Sequence, residues 1–386
     1  MTDYVLDPHP GLSAAERASL ARVRRWAREV APPLLLYGVV CALQLGLLAV
    51  LRRPGSAPLG RLLLGGDGRL VLALAEHGYP AAGAPRDAGE LAVFPLYPAL
   101  VRLVHLVTAL SFGDAALLVS RAAGALAAVL LYRLVERLYD RWTGLFLLAL
   151  VLAQPLAVVL GMASSEAVFL ACAVGALLAA HRGRWGAAGL LGVLAGLTRP
   201  GGLAVGLALG LAAVLTVRQG WSWRPLLAAL LACCATPGYL LWVGLRTGRP
   251  DGWFRIQRAG WGAELDWGAH SWDYVTDQLA GGTGWVDVSV ALLVVAALGG
   301  CLLALLRRPW PPLALYGVLV TGLALGQSEF AACKPRLLVP GLLFLLPAAV
   351  ALAKARPRVA WAVAGAVLLV GSWYGAYLLT SWQSMI

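Results

Sequence analysis

The feature that most constrains this chain is a recurrence of apolar runs about twenty residues long, of which "APPLLLYGVVCALQLGLLAV" at 31–50 is the first. Such a run crosses a hydrocarbon core of roughly 30 Å as an α-helix. Lipid offers no hydrogen-bond partners, so a spanning segment must satisfy its own backbone, as a helix does. Composition excludes a soluble fold: 60% of the 386 residues are hydrophobic and only 13% are charged, too few to cover a soluble surface. The apolar/polar alternation of a transmembrane β-barrel is absent. The chain is therefore expected to be an all-α polytopic membrane protein. Spans are expected at 32–51, 114–132, 143–160, 166–181, 186–198, 201–217, 225–245, 288–306, 311–327, 335–353 and 359–380.

Residues 1–31 are polar and basic, with Arg17, Arg22, Arg24, Arg25 and Arg28. The run that follows exceeds the apolar core of a cleaved signal peptide and has no A-x-A site close behind it, so an uncleaved anchor is expected. Cys41, Cys172, Cys233, Cys234, Cys301 and Cys333 lie mostly inside apolar runs without C-x-x-C spacing, as small buried hydrophobes do. No nucleic-acid-binding module is present.

The stretch 91–112, "LAVFPLYPALVRLVHLVTALSF", is long enough to cross but carries two prolines, Arg102 and His105. It either spans or lies in the interface as an amphipathic helix. The distribution of Lys and Arg decides between these. If 91–112 does not cross, segments 1–31, 133–142, 181–185, 218–224, 307–310 and 354–358 share the cytoplasmic side. They hold seventeen of the 31 Lys/Arg and only six of the nineteen acids. If it crosses, the later basic loops flip outward and the bias is lost. The expected arrangement is thus eleven spans in the cell membrane, N-terminus inside, with external loops at 52–113, bearing juxtamembrane helices, and at 246–287, rich in Trp. The net charge of +12 is then mainly topological signal.

With that arrangement the unusual polar residues collect outside: Asp67 in "GGDGRL", Glu166 in "SSEAVF", Arg199 in "GLTRPGG", and Lys334 with Arg336 in "KPR". Cations at external helix ends run against the insertion bias. Arg offers a planar fork to a phosphate and Lys a point charge. Two carboxylates beside them suit proton transfer, and Trp rings suit the apolar faces of sugars. Each residue also has a plainer reading. Asp67 and Glu166 can cap helices, Arg199 can snorkel, and Lys334 and Arg336 can touch headgroups. The tryptophans can form an interfacial belt, and His77 and His105 can be structural. Gly192 and Gly196, at GxxxG spacing, suit close helix packing.

The succession of the external acid, "LALAEHGYP", "AVFPLYPALVRL", "SSEAVFL", "LAGLTRPGGL" and "KPRLLVPGLLFLLP" resembles the PIG-V (GPI mannosyltransferase II) family. Bacterial members of that family belong to the GT-C class of polyprenyl-phosphate-sugar glycosyltransferases. The resemblance runs from about residue 30 to 350. By position, Asp67 matches the acid of the family's Trp-Asp motif, Glu166 the Glu of its Ser/Thr-Glu-Ser motif, and Arg199 the Arg before its Pro/Asn-Gly turn. Gly66 stands where the family has Trp, Ala167 where it has Ser, and "VFP" where "FFP" is usual. These departures leave open an altered acceptor or a non-catalytic role.

The resemblance implies a single GT-C domain over 32–386 behind a cytoplasmic 1–31. It implies inverting transfer of mannose from a polyprenyl-phosphate carrier to a glycan or glycolipid hydroxyl at the outer face, forming an α bond. Asp67 is then the expected base, and Glu166 orients the acceptor or Asp67. Arg199, Lys334 and Arg336 hold the donor phosphate. Phe94, Tyr97, His77 and Trp267 are expected contacts for acceptor and sugar. Phosphate leaves without further activation, so no cofactor is required; a divalent metal is possible but not indicated. The rival readings are a lipid-linked-sugar flippase, which predicts internal repeats that are not visible, and a partner of another glycosyltransferase.

Overall fold

The computed structural model describes residues 13–52, 58–80, 89–328 and 333–381. Parts of the expected cytoplasmic N-terminus (1–12) and of the expected first external loop (53–57, 81–88) lie outside the described residues. The described residues are almost wholly helical. In chain order the helices are α1 (Ala14–Leu51), α2 (Leu59–Leu63), α3 (Gly68–His77), α4 (Leu96–Thr108), α5 (Phe112–Leu138) and α6 (Arg141–Leu152). They continue as α7 (Glu166–His181), α8 (Trp185–Gly196), α9 (Gly202–Val217), α10 (Trp223–Thr247), α11 (Gly252–Trp261) and α12 (Ala269–Gly281). The last are α13 (Trp285–Leu306), α14 (Pro311–Leu325), α15 (Lys334–Leu338), α16 (Leu346–Lys354) and α17 (Pro357–Ser381).

Among the described residues, five helices are long and apolar enough to cross a membrane: α1, α5, α10, α13 and α17. They coincide with five of the expected spans. Those at 166–181, 186–198, 201–217 and 311–327 are single apolar helices of 12 to 16 residues, roughly 18–24 Å long. Two expected spans are not single helices. At 143–160, α6 stops at Leu152 ahead of Pro155, and a short 3-10 turn occupies Ala157–Gly161. At 335–353, α15 and α16 are separate, with Pro340-Gly341 between them and Pro347 in the first turn of α16. Proline donates no N–H and biases the residue before it away from helix, so both breaks follow from the chain. At 91–112, α4 has 13 residues, about 20 Å, too short to cross alone. It ends at Ala109 in a left-handed conformation and folds back on α5, whose N-cap Ser111 accepts the Asp114 N–H.

The bundle is organised around α7, in which every residue from Glu166 to Ala180 is buried. An α-helix apolar on all sides is a core helix. Beside it, Gly189, Gly192 and Gly196 of α8 lie against Ala228, Ala232 and Ala235 of α10; a Cβ added at Gly192 would sit 2.6 Å from the Ala232 Cβ. The expected small-residue packing is therefore present. A closer approach occurs where α17 crosses the end of α6. A Cβ at Gly371 would lie 1.7 Å from the Ala153 carbonyl oxygen, whereas one at Gly365 on the same helix meets nothing within 4 Å. Gly371→Ala is expected to cost about 1–3 kcal/mol by overpacking. Thermal unfolding in detergent checks this, with Gly365→Ala melting at or above wild type.

The two ends of the bundle differ in charge. At one end Arg133 pairs with Glu29, His181 meets the Trp310 ring edge-on at 5.1 Å, and Arg137, Arg133 and Arg184 surround Arg182. Four of the segments that the charge bias assigns to one side thus meet there. Glu166 begins α7 and His181 ends it, so the opposite end, with Glu166, is roughly 22 Å away.

Candidate active site

Asp67 is presented by the turn between α2 and α3. The turn needs a left-handed residue, and Gly66 supplies it at φ 61°. A Trp at that position would be strained, so this turn geometry accounts for the Gly. The turn is tied to the chain before α7 by Ala163 N–H donating to the Leu63 carbonyl at 2.9 Å. Gly68 packs so closely on Ala163 that an added Cβ would lie 3.2 Å from its carbonyl oxygen. Asp67 and Glu166 are thereby neighbours. Asp67 makes no side-chain cap bond to α3, nor does Glu166 serve as the N-cap of α7, which is Ser165.

Both carboxylates turn instead to one guanidinium. Arg336 Nη2 donates to Asp67 Oδ2 at 2.7 Å, and Arg336 Nε donates to Glu166 Oε1 at 2.6 Å. Arg199 Nη1 lies 2.8 Å from the same Glu166 oxygen. Glu166 is 1% exposed, while Asp67 is 37% exposed at the cleft. Arg199 comes from the α8–α9 hairpin, where Gly202 approaches Gly196 so tightly that a Cβ would sit 2.3 Å from its Cα. The break expected at Pro200-Gly201-Gly202 is present, and Leu96 N–H donates to the Leu197 carbonyl at 3.0 Å, joining the start of α4 to this hairpin.

Asp67, Arg199 and Arg336 are part of the lining of a cleft of about 570 Å³. This is a small-molecule volume. The lining also has an aromatic part: Phe94 with Trp253, Phe254 and Trp261 of α11, interspersed with Gln257. Tyr239 holds that part in place. Its hydroxyl donates to the Val93 carbonyl at 2.7 Å, and its ring lies 4.5 Å from that of Phe94. Trp253 Nε1 donates to the Ala92 carbonyl at 3.3 Å. The rim is closed by a short antiparallel pairing of Leu265 with Gln327.

Five of the nine expected site residues are brought together: Asp67, Glu166, Arg199, Arg336 and Phe94. Glu166 does not line the cleft; it anchors two arginines from behind. Lys334 is fully buried, and its ammonium donates to the Gln327 carbonyl at 2.8 Å, outside the cleft lining. It also lies near Asp266. Burial opposes the charge of Asp266, but the His270 and Gly268 N–H groups and then Lys334 outweigh it, holding the carboxyl below its usual range. Tyr97 is wholly buried; its hydroxyl pairs with the Ala116 carbonyl and Ser120, and Ser120 donates to the Ser164 carbonyl. His77 is exposed at the end of α3, its ring nitrogen on the Ala73 carbonyl. Trp267 is 87% exposed in a left-handed turn. None of these last three lines the cleft.

The residues missed as contacts are Trp253, Phe254, Gln257 and Trp261. Trp253, Gln257 and Trp261 recur every four residues, the spacing of one face of a helix, with Phe254 beside the first, a signal present in the sequence. Among the described residues no group of three or more His, Cys, Asp or Glu side chains could hold a metal ion, and Asp67 and Glu166 are both paired with guanidinium groups.

No family model matches the chain, and no curated protein matches it. Solved structures do. ArnT from Cupriavidus metallidurans bound to undecaprenyl phosphate aligns with a TM-score of 0.50 at 17% identity, over 91% of this chain and 62% of that one. The apo form of ArnT gives 0.51 at 17% identity. The Archaeoglobus fulgidus oligosaccharyltransferase in complex with Zn and sulfate gives 0.50 at 14%, over 91% of this chain and 53% of that one. The likeness is one of fold: this is a multi-pass membrane protein with the GT-C architecture. The chain spans about three fifths of the length of ArnT and half that of the oligosaccharyltransferase.

Proposed function

We propose that the protein is a membrane glycosyltransferase that moves a sugar, mannose by its resemblance to the PIG-V family, from a polyprenyl-phosphate carrier to an acceptor hydroxyl. The observation that carries this is Arg336 suspended between Asp67 and Glu166 beside an aromatic-walled cleft, within a fold shared with ArnT, which was crystallised with undecaprenyl phosphate. The basic end of the bundle is assigned to the cytoplasm by the positive-inside bias. That assignment puts the cleft on the extracytoplasmic face of the cell membrane.

In this reading Asp67 accepts the proton of the acceptor hydroxyl as its oxygen bonds to the anomeric carbon. The bond from that carbon to the phosphate oxygen breaks, and the electron pair leaves on the phosphate. Attack opposite the leaving group inverts the centre, so a β-linked donor gives an α product. Arg199 and Arg336 stabilise the departing charge. Two nitrogens of Arg336 are held by carboxylates, which leaves Nη1 for a phosphate oxygen. Glu166 fixes both guanidinium groups, and Lys334 braces the Gln327 rim of the cleft from behind. Gly66 does not require a non-catalytic role, since the turn that it permits still delivers Asp67 into the cleft.

The test is release of carrier phosphate, with transfer to a membrane-glycan acceptor pool, by purified protein in nanodiscs given radiolabelled polyprenyl-phosphate mannose. Turnover by wild type supports the reading; binding without turnover at any acceptor concentration overturns it. The aromatic wall carries its own prediction. Trp261→Ala is expected to raise KM several-fold through lost stacking area, while Trp267→Ala leaves the steady-state constants unchanged.

A further inference from the structure

A second cavity lies at the basic end, remote from the cleft. It has a volume of about 440 Å³ and three walls. Ala304 and Arg307 of the α13 terminus form one. Leu346, Pro347, Val350 and Lys354 of α16 form the second, and Tyr139, Asp140 and Thr143 at the α5–α6 turn form the third. Its lining joins apolar Leu346, Pro347 and Val350 to two cations, Arg307 and Lys354, both exposed. The side chains of Arg307 and Lys354 make no ion pair or hydrogen bond among the described residues. Both sit at helix C-termini, where the helix dipole favours a cation. The acid in the lining, Asp140, is held at the start of α6, accepting from Trp142 N, Thr143 N and Thr143 Oγ1, and its single charge leaves the cavity with a net positive charge. On the same helix as Arg307, Leu303 and Leu306 of α13 are exposed and apolar, as lipid-facing side chains are.

Two unpaired cations in a partly apolar lining, beside a lipid-facing helix, define a ligand with a phosphate at one end and hydrocarbon at the other. We infer that this cavity binds the phosphate headgroup of an anionic membrane phospholipid, with Arg307 and Lys354 as its ligands and the Leu346–Val350 face against the first carbons of its chains. Binding there holds α13, α16 and the α5–α6 turn together where proline has interrupted the helix between α15 and α16. The site does not depend on the reaction proposed for the cleft.

The experiment is native mass spectrometry of the full chain in detergent, titrated with phosphatidylglycerol, phosphatidylcholine or undecaprenyl phosphate. Wild type is expected to retain phosphatidylglycerol over phosphatidylcholine. Arg307→Ala with Lys354→Ala should weaken it by roughly tenfold or more, the loss of charge-assisted hydrogen bonds. Val350→Trp, which fills the cavity and keeps both charges, should weaken it similarly. Arg218→Ala with Arg224→Ala, removing two basic-end cations outside the cavity, should leave it unchanged. Equal weakening by both charge-removing pairs, or retention in Val350→Trp, overturns the site in favour of a diffuse basic surface. Undecaprenyl phosphate retention that is lost in Arg307→Ala with Lys354→Ala, a pair remote from the cleft that itself takes a polyprenyl phosphate in the proposed reaction, overturns the lipid assignment. Size-exclusion profiles show that each variant folds.

Discussion

Asp67→Asn is expected to lower kcat for sugar transfer by about 10²–10⁴-fold, the range lost when a positioned general base is removed, while donor binding stays within a few-fold of wild type. The substitution keeps the shape of the side chain and its hydrogen-bonding capacity toward Arg336, and it removes the charge. Arg199 and Arg336 remain to hold the phosphate. A single-turnover measurement with bound polyprenyl-phosphate mannose separates the chemical step from binding and product release. Equal rates in the two proteins would remove Asp67 from the chemistry. A parallel loss of donor binding and rate would instead make Asp67 a steering group for Arg336, since it holds that guanidinium at 2.7 Å.

Much of the site was legible in the sequence because membrane-like chains make polar residues conspicuous. Asp67, Glu166, Arg199 and Arg336 each interrupt an apolar context, and each is drawn into one ion-paired cluster. Their connectivity was not legible. Lys334 and Arg336 look equivalent in "KPR", yet residues two apart on a helix do not share a face. On α15 one side chain reaches the cleft, and the other is buried against Gln327. Tyr97 belongs to a motif beside Phe94, but its position on α4 turns it inward to Ser120, behind the Ser164–Glu166 turn.

The aromatic contacts show the same limit. A loop with five tryptophans offers no reason in composition alone to choose among them. Helical spacing selects Trp253 and Trp261, whereas Trp267 sits in a turn with φ 60° and faces solvent. At the scale of the fold, the apolar runs and the charge bias located the helices and gathered the basic loops at one end. Length alone did not show the breaks within 143–160 and 335–353. There, an apolar stretch hides Pro155 and Pro340, and the broken backbone is packed against neighbouring helices, as in the contact of Gly371 with Ala153.

Glu166→Ala is expected to show the opposite pattern from Asp67→Asn: a large loss of stability, with activity falling as a consequence. Removing a buried carboxylate strands Arg199 and leaves Arg336 with Asp67 alone, at a cost of about 3–5 kcal/mol. Apparent melting temperature in detergent is the readout. Glu166→Gln keeps the volume and one acceptor, so it should melt between wild type and Glu166→Ala. The diagnostic variant combines Glu166→Ala with Arg336→Met. If the loss arises from two guanidinium groups sharing the one remaining carboxylate, Asp67, deleting one of them restores part of the melting temperature while transfer remains absent, because Arg336 is also a phosphate ligand in this reading. A Glu166→Ala protein that melts with wild type but fails to turn over would move Glu166 from anchor to direct participant. Its 1% exposure makes that second outcome require a rearrangement of α15. Stability and activity are therefore expected to separate cleanly between the two carboxylates that share Arg336.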